Sequence, residues 1–190
     1  MGVSAHRWIE AGYEMFAFEG PESLQVEKLA KKLGLNKSGF YHYFGDREVF
    51  LSKVLDYHCL LAERFRISIT ELTQFDPDYY ELLIKYRLTL FVQMQLRRHP
   101  DERNFQEIFR RIAGSNDKAL VPLLSNHLGI PGEHDLALEF WDLIRDSFYM
   151  QLTHNNLEII LSRKIVDKVR RIIKKLQQRN NKSSLNGEAV

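Results

Sequence analysis

The spacing of apolar residues is the feature that most limits how this chain of 190 residues can fold. Apolar side chains recur at steps of three and four along almost its whole length, whereas the alternation at every second residue that marks strands is hardly seen. A repeat near 3.6 residues places such side chains on one face of a helix. The sequence therefore predicts an all-α fold.

Glycine, proline and capping residues divide this pattern into separate helices. Gly20-Pro21 ends the first helix, Gly34 ends the second, and Asn36 is a good N-cap for a short third helix. The predicted spans are about 4–18, 26–33, 37–44, 46–69, 76–98, 101–114, 118–128, 133–154 and 158–179. The later spans rest on weaker boundaries, mainly Asp76-Pro77, His99-Pro100 and the glycines near Pro131.

Composition excludes several classes of protein. With 44% hydrophobic and 27% charged residues, the chain has the composition of a globular domain. No apolar run approaches the ~18 to 20 residues of a membrane span, and the N-terminus lacks the apolar core of a secretion signal. The single cysteine, Cys59, can form neither an internal disulfide nor a multi-cysteine metal site. We therefore expect a cytoplasmic protein with no membrane partner.

Although the net charge is only +2, the chain contains two strongly basic segments. Between residues 28 and 47 the chain has Lys28, Lys31, Lys32, Lys37 and Arg47 against the single acid Asp46. Residues 163–182 carry nine basic residues against Asp167, with apolar residues at three-four spacing between them. The second segment predicts an amphipathic helix that packs in the fold or on a second copy. The alternative is contact with nucleic acid or a membrane.

The short second and third helices, with the turn 34–36 between them, have the layout of a helix-turn-helix. In such a unit the second helix enters the major groove of DNA. Phe40 and Phe44 are four residues apart and are expected to face the core, which leaves the polar and small side chains of 37–43 outward.

At these residues the chain resembles the TetR (tetracycline-repressor-like) family. The matching positions are Ala11, Phe16, Gly20, the run 26–37, the run 40–44 and the run 46–48. The resemblance covers about the first fifty-five residues. It implies a three-helix helix-turn-helix DNA-binding head, followed by a helical-bundle ligand-binding and dimerisation body. We accordingly expect a DNA-binding domain at 1–47 and a ligand-binding and dimerisation domain at 48–180, while the polar composition of 181–190 predicts a disordered tail.

The resemblance also implies roles for single residues of the head. It places three residues next to the bases, two tyrosines at phosphates or thymine methyls, a histidine in the groove and an arginine clamping a phosphate. In the order of these roles, the residues are Lys37, Ser38, Gly39, Tyr41, Tyr43, His42 and Arg47. Two residues beside the turn, Lys28 and Asn36, complete the expected DNA-binding set. A solvated face remains the alternative for the lysines of the second helix, and packing remains the alternative for Tyr41 and Tyr43.

The chain departs from the family's pattern at two positions. Gln25 stands where a Ser or Thr usually caps the second helix and contacts phosphate, and Ser23 is the candidate to substitute for it. Gly39 stands where a Thr is common, which removes one side chain from the groove. We therefore expect the DNA-binding head to depend on its dimer partner for binding to DNA.

The body carries apolar and aromatic residues that could line a small-molecule cavity. The candidates are Tyr86, Arg87, Leu90, Phe91, Met94, Phe105, Phe109 and Trp141. Plain core is the alternative for each of them. By the resemblance, the last two helices pair with their copies in a four-helix dimer interface.

Motifs for catalysis and for metal binding are missing. There is no His-Glu-x-x-His pair, no Gly-rich phosphate loop and no Gly-x-Ser-x-Gly turn, so we expect no enzyme activity, no cofactor and no metal. The leading interpretation is a homodimeric repressor that binds double-stranded DNA at a palindromic operator and responds to an unknown small-molecule inducer. The alternatives are an architectural or protein-partner DNA-binding protein without an inducer, and an all-helical enzyme or interaction module with an incidental head resemblance.

Overall fold

A computed structural model describes the backbone of residues 3–151 and 159–187, and the side chains within 5–151 and 163–179. Regular structure in these ranges is helical and no strand occurs in them, which confirms the all-α prediction. The α-helices are α1 (Val3–Glu19), α2 (Val26–Leu33), α3 (Lys37–Phe44), α4 (Arg47–Thr70), α5 (Tyr80–Lys85), α6 (Arg87–Arg98), α7 (Arg103–Leu128), α8 (His134–Gln151) and α9 (Ile159–Gly187). A 3₁₀ turn, Pro21–Ser23, follows α1, and a π-helical segment, Phe75–Tyr79, precedes α5.

Helix boundaries differ from the predicted ones in the later part of the chain. The single helix predicted over 76–98 is interrupted at Tyr86, whose backbone (φ −102°, ψ 26°) leaves the helical region. The two helices predicted over 101–114 and 118–128 are one helix, α7, with Gly114 and Pro122 inside it. Helix α9 continues to Gly187, so residues 181–187 are helical where the composition predicts a disordered tail, and 188–190 lie outside the described residues. The predicted end of the eighth helix at His154 also lies outside them.

Contacts between Cα atoms divide the chain into two units. The first comprises residues 1–68 and 85–115, and the second comprises 69–84 and 116–190. The first unit therefore includes α1 to α4, α6 and the first half of α7. The domain boundary expected at residue 47 stays a prediction.

Aromatic packing around α1 forms the core of the first unit. Helix α1 packs against α2, α3 and α6. The Phe40 ring lies 5.5 Å from the Trp8 ring and 5.0 Å from the Phe50 ring, measured between centroids. A Cβ at Gly12 would come within 2.5 Å of Phe50 Cζ, so the missing side chain there is what lets α1 lie directly on this ring. The buried aromatic residues thus fix α3 and the start of α4 to α1.

A hydrogen-bonded group of side chains also joins α1, α4 and α6 inside this core. The Tyr13 hydroxyl lies 3.0 Å from His58 Nδ1 and donates to Thr89 Oγ1 at 3.3 Å. His58 is fully buried, and its other ring nitrogen, Nε2, has no hydrogen-bond partner within the described part of the chain. Burial lowers the pKa of His58 to about 3, so this imidazole is neutral at pH 7.

The second unit contains a part-buried ion pair between α7 and α8. Asp117 accepts hydrogen bonds from the Trp141 indole at 2.6 Å and from the Arg145 guanidinium at 2.5 Å. Burial raises the pKa of Asp117, and the hydrogen bonds from Arg145 and Trp141 oppose that rise. These contacts, with the packing of α8 on α9, hold the second unit together.

Candidate nucleic-acid interface

The turn between α2 and α3 is held by backbone hydrogen bonds. Gly34 has a left-handed conformation (φ 66°, ψ 32°), which a residue with a side chain rarely adopts. The Gly34 N–H donates to the carbonyls of Ala30 and Lys31, and the Leu35 N–H donates to Ala30 at 3.0 Å. These bonds satisfy the last carbonyls of α2, as expected for a glycine at this position. They also fix the direction in which the chain leaves α2.

The start of α3 is capped as the sequence predicts. Asn36 is extended (φ −79°, ψ 140°), and its side-chain oxygen accepts from the Ser38 N–H at 3.1 Å. Because one of the free amides of the first turn is thereby satisfied, α3 can begin directly after a three-residue connection. Helices α2 and α3 have the predicted bounds.

The two faces of α3 differ as the sequence predicts. Phe40 is 0% and Phe44 is 5% exposed, so both belong to the core. Tyr41 and Tyr43 are 52% and 41% exposed, and His42 is exposed between them. Both tyrosines are therefore about half exposed to solvent, and the Tyr41 ring still packs edge-on against Phe40 at 5.6 Å between centroids.

The N-terminal part of the face is also solvent-exposed. Lys37, Ser38, Asn36 and Lys28 are exposed, whereas Gly39 is half-buried. A Cβ built at Gly39 would meet no atom within 4 Å, so no neighbouring side chain requires glycine there. Each residue of the expected DNA-binding set except Gly39 is thus accessible in the structure. Their contact with DNA stays a prediction.

Lys37 is paired in the structure, which the sequence did not indicate. Its ammonium group lies 2.7 Å from the Glu27 carboxylate. Glu27 belongs to α2, ten residues earlier, and no simple spacing within one helix signals a contact between two helices.

Arg47 has a structural role that sequence reasoning missed. Its guanidinium donates to the carbonyl of Leu24 at 3.0 Å and to the carbonyl of Pro21 at 2.8 Å. The side chain therefore ties the first residue of α4 to the segment that joins α1 to α2. The predicted phosphate clamp would have to use the donors that these carbonyls leave available.

The side chain of Ser23 is not placed to replace the missing cap of α2. Ser23 is buried, and its hydroxyl donates to the Gly20 carbonyl at 2.6 Å. Gln25 occupies the N-cap position with an extended backbone and makes no side-chain capping bond. The expectation that Ser23 substitutes as a phosphate contact is therefore wrong, because its donor is already used inside the core.

The predicted pocket residues are divided between the two units. Trp141 lies in the second unit, and the other predicted lining residues lie in the first. Phe91 and Phe105 pack against α1, with ring centroids 5.5 Å from Phe18 and 5.8 Å from Phe16. These two rings serve as core of the first unit. The cavity itself stays a prediction.

Within the described ranges there is neither a helix suited to span a membrane nor a side-chain cluster suited to bind a metal ion. None of the helices in them combines the length and apolar character required to cross a bilayer. Nor do those ranges bring together three or more His, Cys, Asp or Glu side chains in a group suited to a metal ion.

Comparison with known proteins bears on both the head and the whole fold. Residues 9–54 match the family described as bacterial regulatory proteins, tetR family. No match was found among curated proteins. A transcriptional regulator (TerR/AcrR family) from Aquifex aeolicus VF5 superposes with a TM-score of 0.63 at 17% identity, covering 89% of this chain and 99% of that one.

Two further solved structures share the fold. A tetR-family transcriptional regulator from Streptomyces coelicolor has a TM-score of 0.56 at 15% identity, covering 92% of this chain and 90% of that one. The transcriptional regulator FadR from Bacillus subtilis, solved with stearoyl-CoA, has a TM-score of 0.52 at 20% identity, covering 86% and 96%. The match over residues 9–54 includes the helix-turn-helix described above, and the fold shared with these three structures covers 86–92% of the chain. In its head the chain is thus similar to the tetR family of bacterial regulatory proteins, and its fold is that of solved TetR-family transcriptional regulators.

Proposed function

We propose that the chain is a homodimeric repressor whose α3 reads the major groove of a palindromic operator. The observation that carries this is the two-sided character of α3, with Phe40 and Phe44 buried and Tyr41, His42, Tyr43 and Lys37 presented outward. A helix held in this way offers base-edge and phosphate contacts without disturbing the core. In this proposal residues 1–47 bind DNA, residues 48–180 bind ligand and dimerise, and the protein acts in the cytoplasm.

Replacing both Lys37 and Tyr41 by alanine tests the reading face. We expect the double variant to bind its operator at least ~30-fold more weakly, because a base contact and a stacking or phosphate contact each contribute on the order of 1–3 kcal/mol. The operator is first selected from a random duplex library by the wild-type protein, and affinities are then measured by fluorescence anisotropy.

Lys118→Ala with Tyr57→Ala is the matched control for that variant. It removes the same two residue types from α7 and α4, outside the proposed reading face and outside α8 and α9. It should bind the operator like the wild type. Equal affinity of the reading-face variant and the wild type would overturn the assignment of α3.

The ligand-responsive part of the proposal is supported by the fold shared with FadR, which was solved with stearoyl-CoA. An inducer acts by binding more tightly to the arrangement that cannot hold DNA, and it shifts the equilibrium by no more than that difference in affinity. We propose a small-molecule inducer in the body, with the predicted pocket residues of the first unit as its contacts.

The dimer is proposed to form through α8 and α9, whose exposed faces are complementary. Helix α8 exposes Leu136, Leu143 and Met150 beside a row of acids, Asp135, Glu139, Asp142 and Asp146. Helix α9 exposes Ile172 and Leu176 beside Lys168, Lys175 and Arg179. A second copy that brings α8 against α9 would cover both apolar rows and set opposite charges together.

Leu143→Glu tests this interface. Leu143 is 65% exposed in the chain by itself, so the substitution should leave the fold intact but place a charge inside the interface. We expect at least a tenfold weaker dimer by sedimentation velocity. Leu60→Glu, at a leucine of α4 that is 49% exposed, is the control and should leave the dimer unchanged. If both variants dimerise like the wild type, the interface lies elsewhere.

A further inference from the structure

The ion pair between Lys37 and Glu27 bridges the two helices of the helix-turn-helix. Lys37 Nζ lies 2.7 Å from Glu27 Oε1, and the two side chains are 51% and 64% exposed. Glu27 lies in the first turn of α2, and Lys37 is the first residue of α3. The pair therefore lies at the start of the proposed reading helix and is open to solvent.

Glu27 is ionised at neutral pH. The hydrogen bond from Lys37 lowers the pKa of the Glu27 carboxyl from its ordinary value. A negative charge therefore lies among the few cations of this face and cancels the charge of Lys37 in the free protein. An acid at this position weakens attraction to phosphates, which is the term that provides nearly all non-specific DNA binding.

We propose that Glu27 is a specificity-determining residue that suppresses binding to non-operator DNA by holding Lys37 and repelling phosphates. An ammonium group has three donors, so Lys37 can keep one hydrogen bond to Glu27 and give the others to an acceptor pair such as guanine O6 and N7. Phosphates alone offer no such base edge, and they meet the carboxylate as a like charge. Glu27 thereby allows the Lys37 ammonium group to bind a matching base, but weakens its attraction to phosphates at other sequences. This inference rests on the proposed function of α3.

The test compares Glu27→Gln with the wild type on two duplexes. One carries the operator selected by the wild-type protein, and the other has the same length and base composition in scrambled order. We expect Glu27→Gln to bind the scrambled duplex about fivefold more tightly at low salt. The slope of log K against log salt should become more negative by up to ~0.9, the value for one further phosphate neutralised. The affinity for the operator should change less, so the ratio of the two affinities should fall.

Glu14→Gln is the matched control. Glu14 forms the Lys32 ion pair at 2.9 Å, with side chains of similar exposure (42% for Lys32 and 47% for Glu14), and neither residue belongs to the proposed reading face. Both variants raise the net charge by one, so a general charge effect would change them equally. Thermal unfolding of the two should also agree, which separates the binding effect from stability.

The possible outcomes distinguish this inference from the proposed function. A wild-type protein that selects no sequence from the library would overturn the proposed function. Suppose instead that the wild type does select an operator, but that Glu27→Gln and Glu14→Gln have equal salt slopes and equal ratios of operator to scrambled-duplex affinity. That result would overturn the role of Glu27 and leave the proposed function in place. A steeper slope and lower ratio in Glu27→Gln only would support it.

Discussion

Lowering the pH from 6.5 to 4.5 is expected to reduce the free energy of unfolding by about 2 kcal/mol through His58 alone. The pKa of His58 is about 3 in the folded chain, against an ordinary value of 6.5. Protonation therefore favours the unfolded chain, in which the imidazole is hydrated. The stability associated with the neutral ring is fully present above pH 6.5 and is lost as the pH falls toward 3. Urea unfolding at pH 6.5, 5.5 and 4.5 measures this loss.

His58→Phe is the control that isolates the contribution of this ring. Carboxylates also titrate over part of this range, so the informative quantity is the difference between wild type and variant at each pH. The Tyr13 hydroxyl retains Thr89 as an acceptor in the variant. The difference should shrink by about 2 kcal/mol between pH 6.5 and 4.5. A difference that does not change with pH would mean that His58 is hydrated or protonated in the native protein.

Phe40→Ala is expected to destabilise the protein by about 3–5 kcal/mol, the range found for large aromatic side chains removed from a core. Phe40 is 0% exposed and its ring contacts those of Trp8, Phe44 and Phe50 at 5.0 to 5.5 Å. The cavity would lie where α3 meets α1 and α4, so the proposed reading helix would lose its support. Denaturant unfolding measures the change, and DNA binding should be lost with it.

Tyr41→Ala provides the comparison on the same helix. Tyr41 is next to Phe40 in sequence but is 52% exposed, so its removal should cost less than about 1 kcal/mol. The two variants thus separate support of α3 from contact with DNA, since both should weaken binding but only Phe40→Ala should weaken the fold. Similar unfolding curves for the two would show that Phe40 is not a core residue of the folded protein.

The helix-turn-helix was predictable because its boundaries depend on local chemistry. Gly34 supplies the left-handed backbone, Asn36 supplies the cap, and the four-residue spacing of Phe40 and Phe44 identifies the buried face. Each of these signals acts within a few residues. The predicted bounds of α2 and α3 therefore agree with the structure.

Features that depend on distant contacts were not predictable. The carbonyls that Arg47 binds belong to residues more than twenty positions earlier, and the sequence does not show that they lie near its guanidinium. The predicted phosphate contact of Ser23 fails for the same reason, since only the fold shows that this side chain is buried. For α7 the local signals predicted a helix end that the structure does not have. Gly114 and Pro122 weaken a helix locally, but they do not end α7 because the segments on both sides continue it.

If α3 binds DNA as proposed, the backbone bonds of the α2–α3 turn make its sequence preference easy to change. The direction of α3 depends on Gly34, the Asn36 cap and the buried phenylalanines, and not on the side chains of Lys37 and Ser38 that are expected next to the bases. Open space surrounds the position of a Cβ at Gly39, so a side chain introduced there would add a group to the groove without displacing a neighbour. Replacing a helical glycine also tends to stabilise the helix, by about 0.5–1 kcal/mol for alanine. In the proposed mode of DNA binding, Gly39 is therefore a position at which a substitution would change the preferred operator while the stability of the fold is kept.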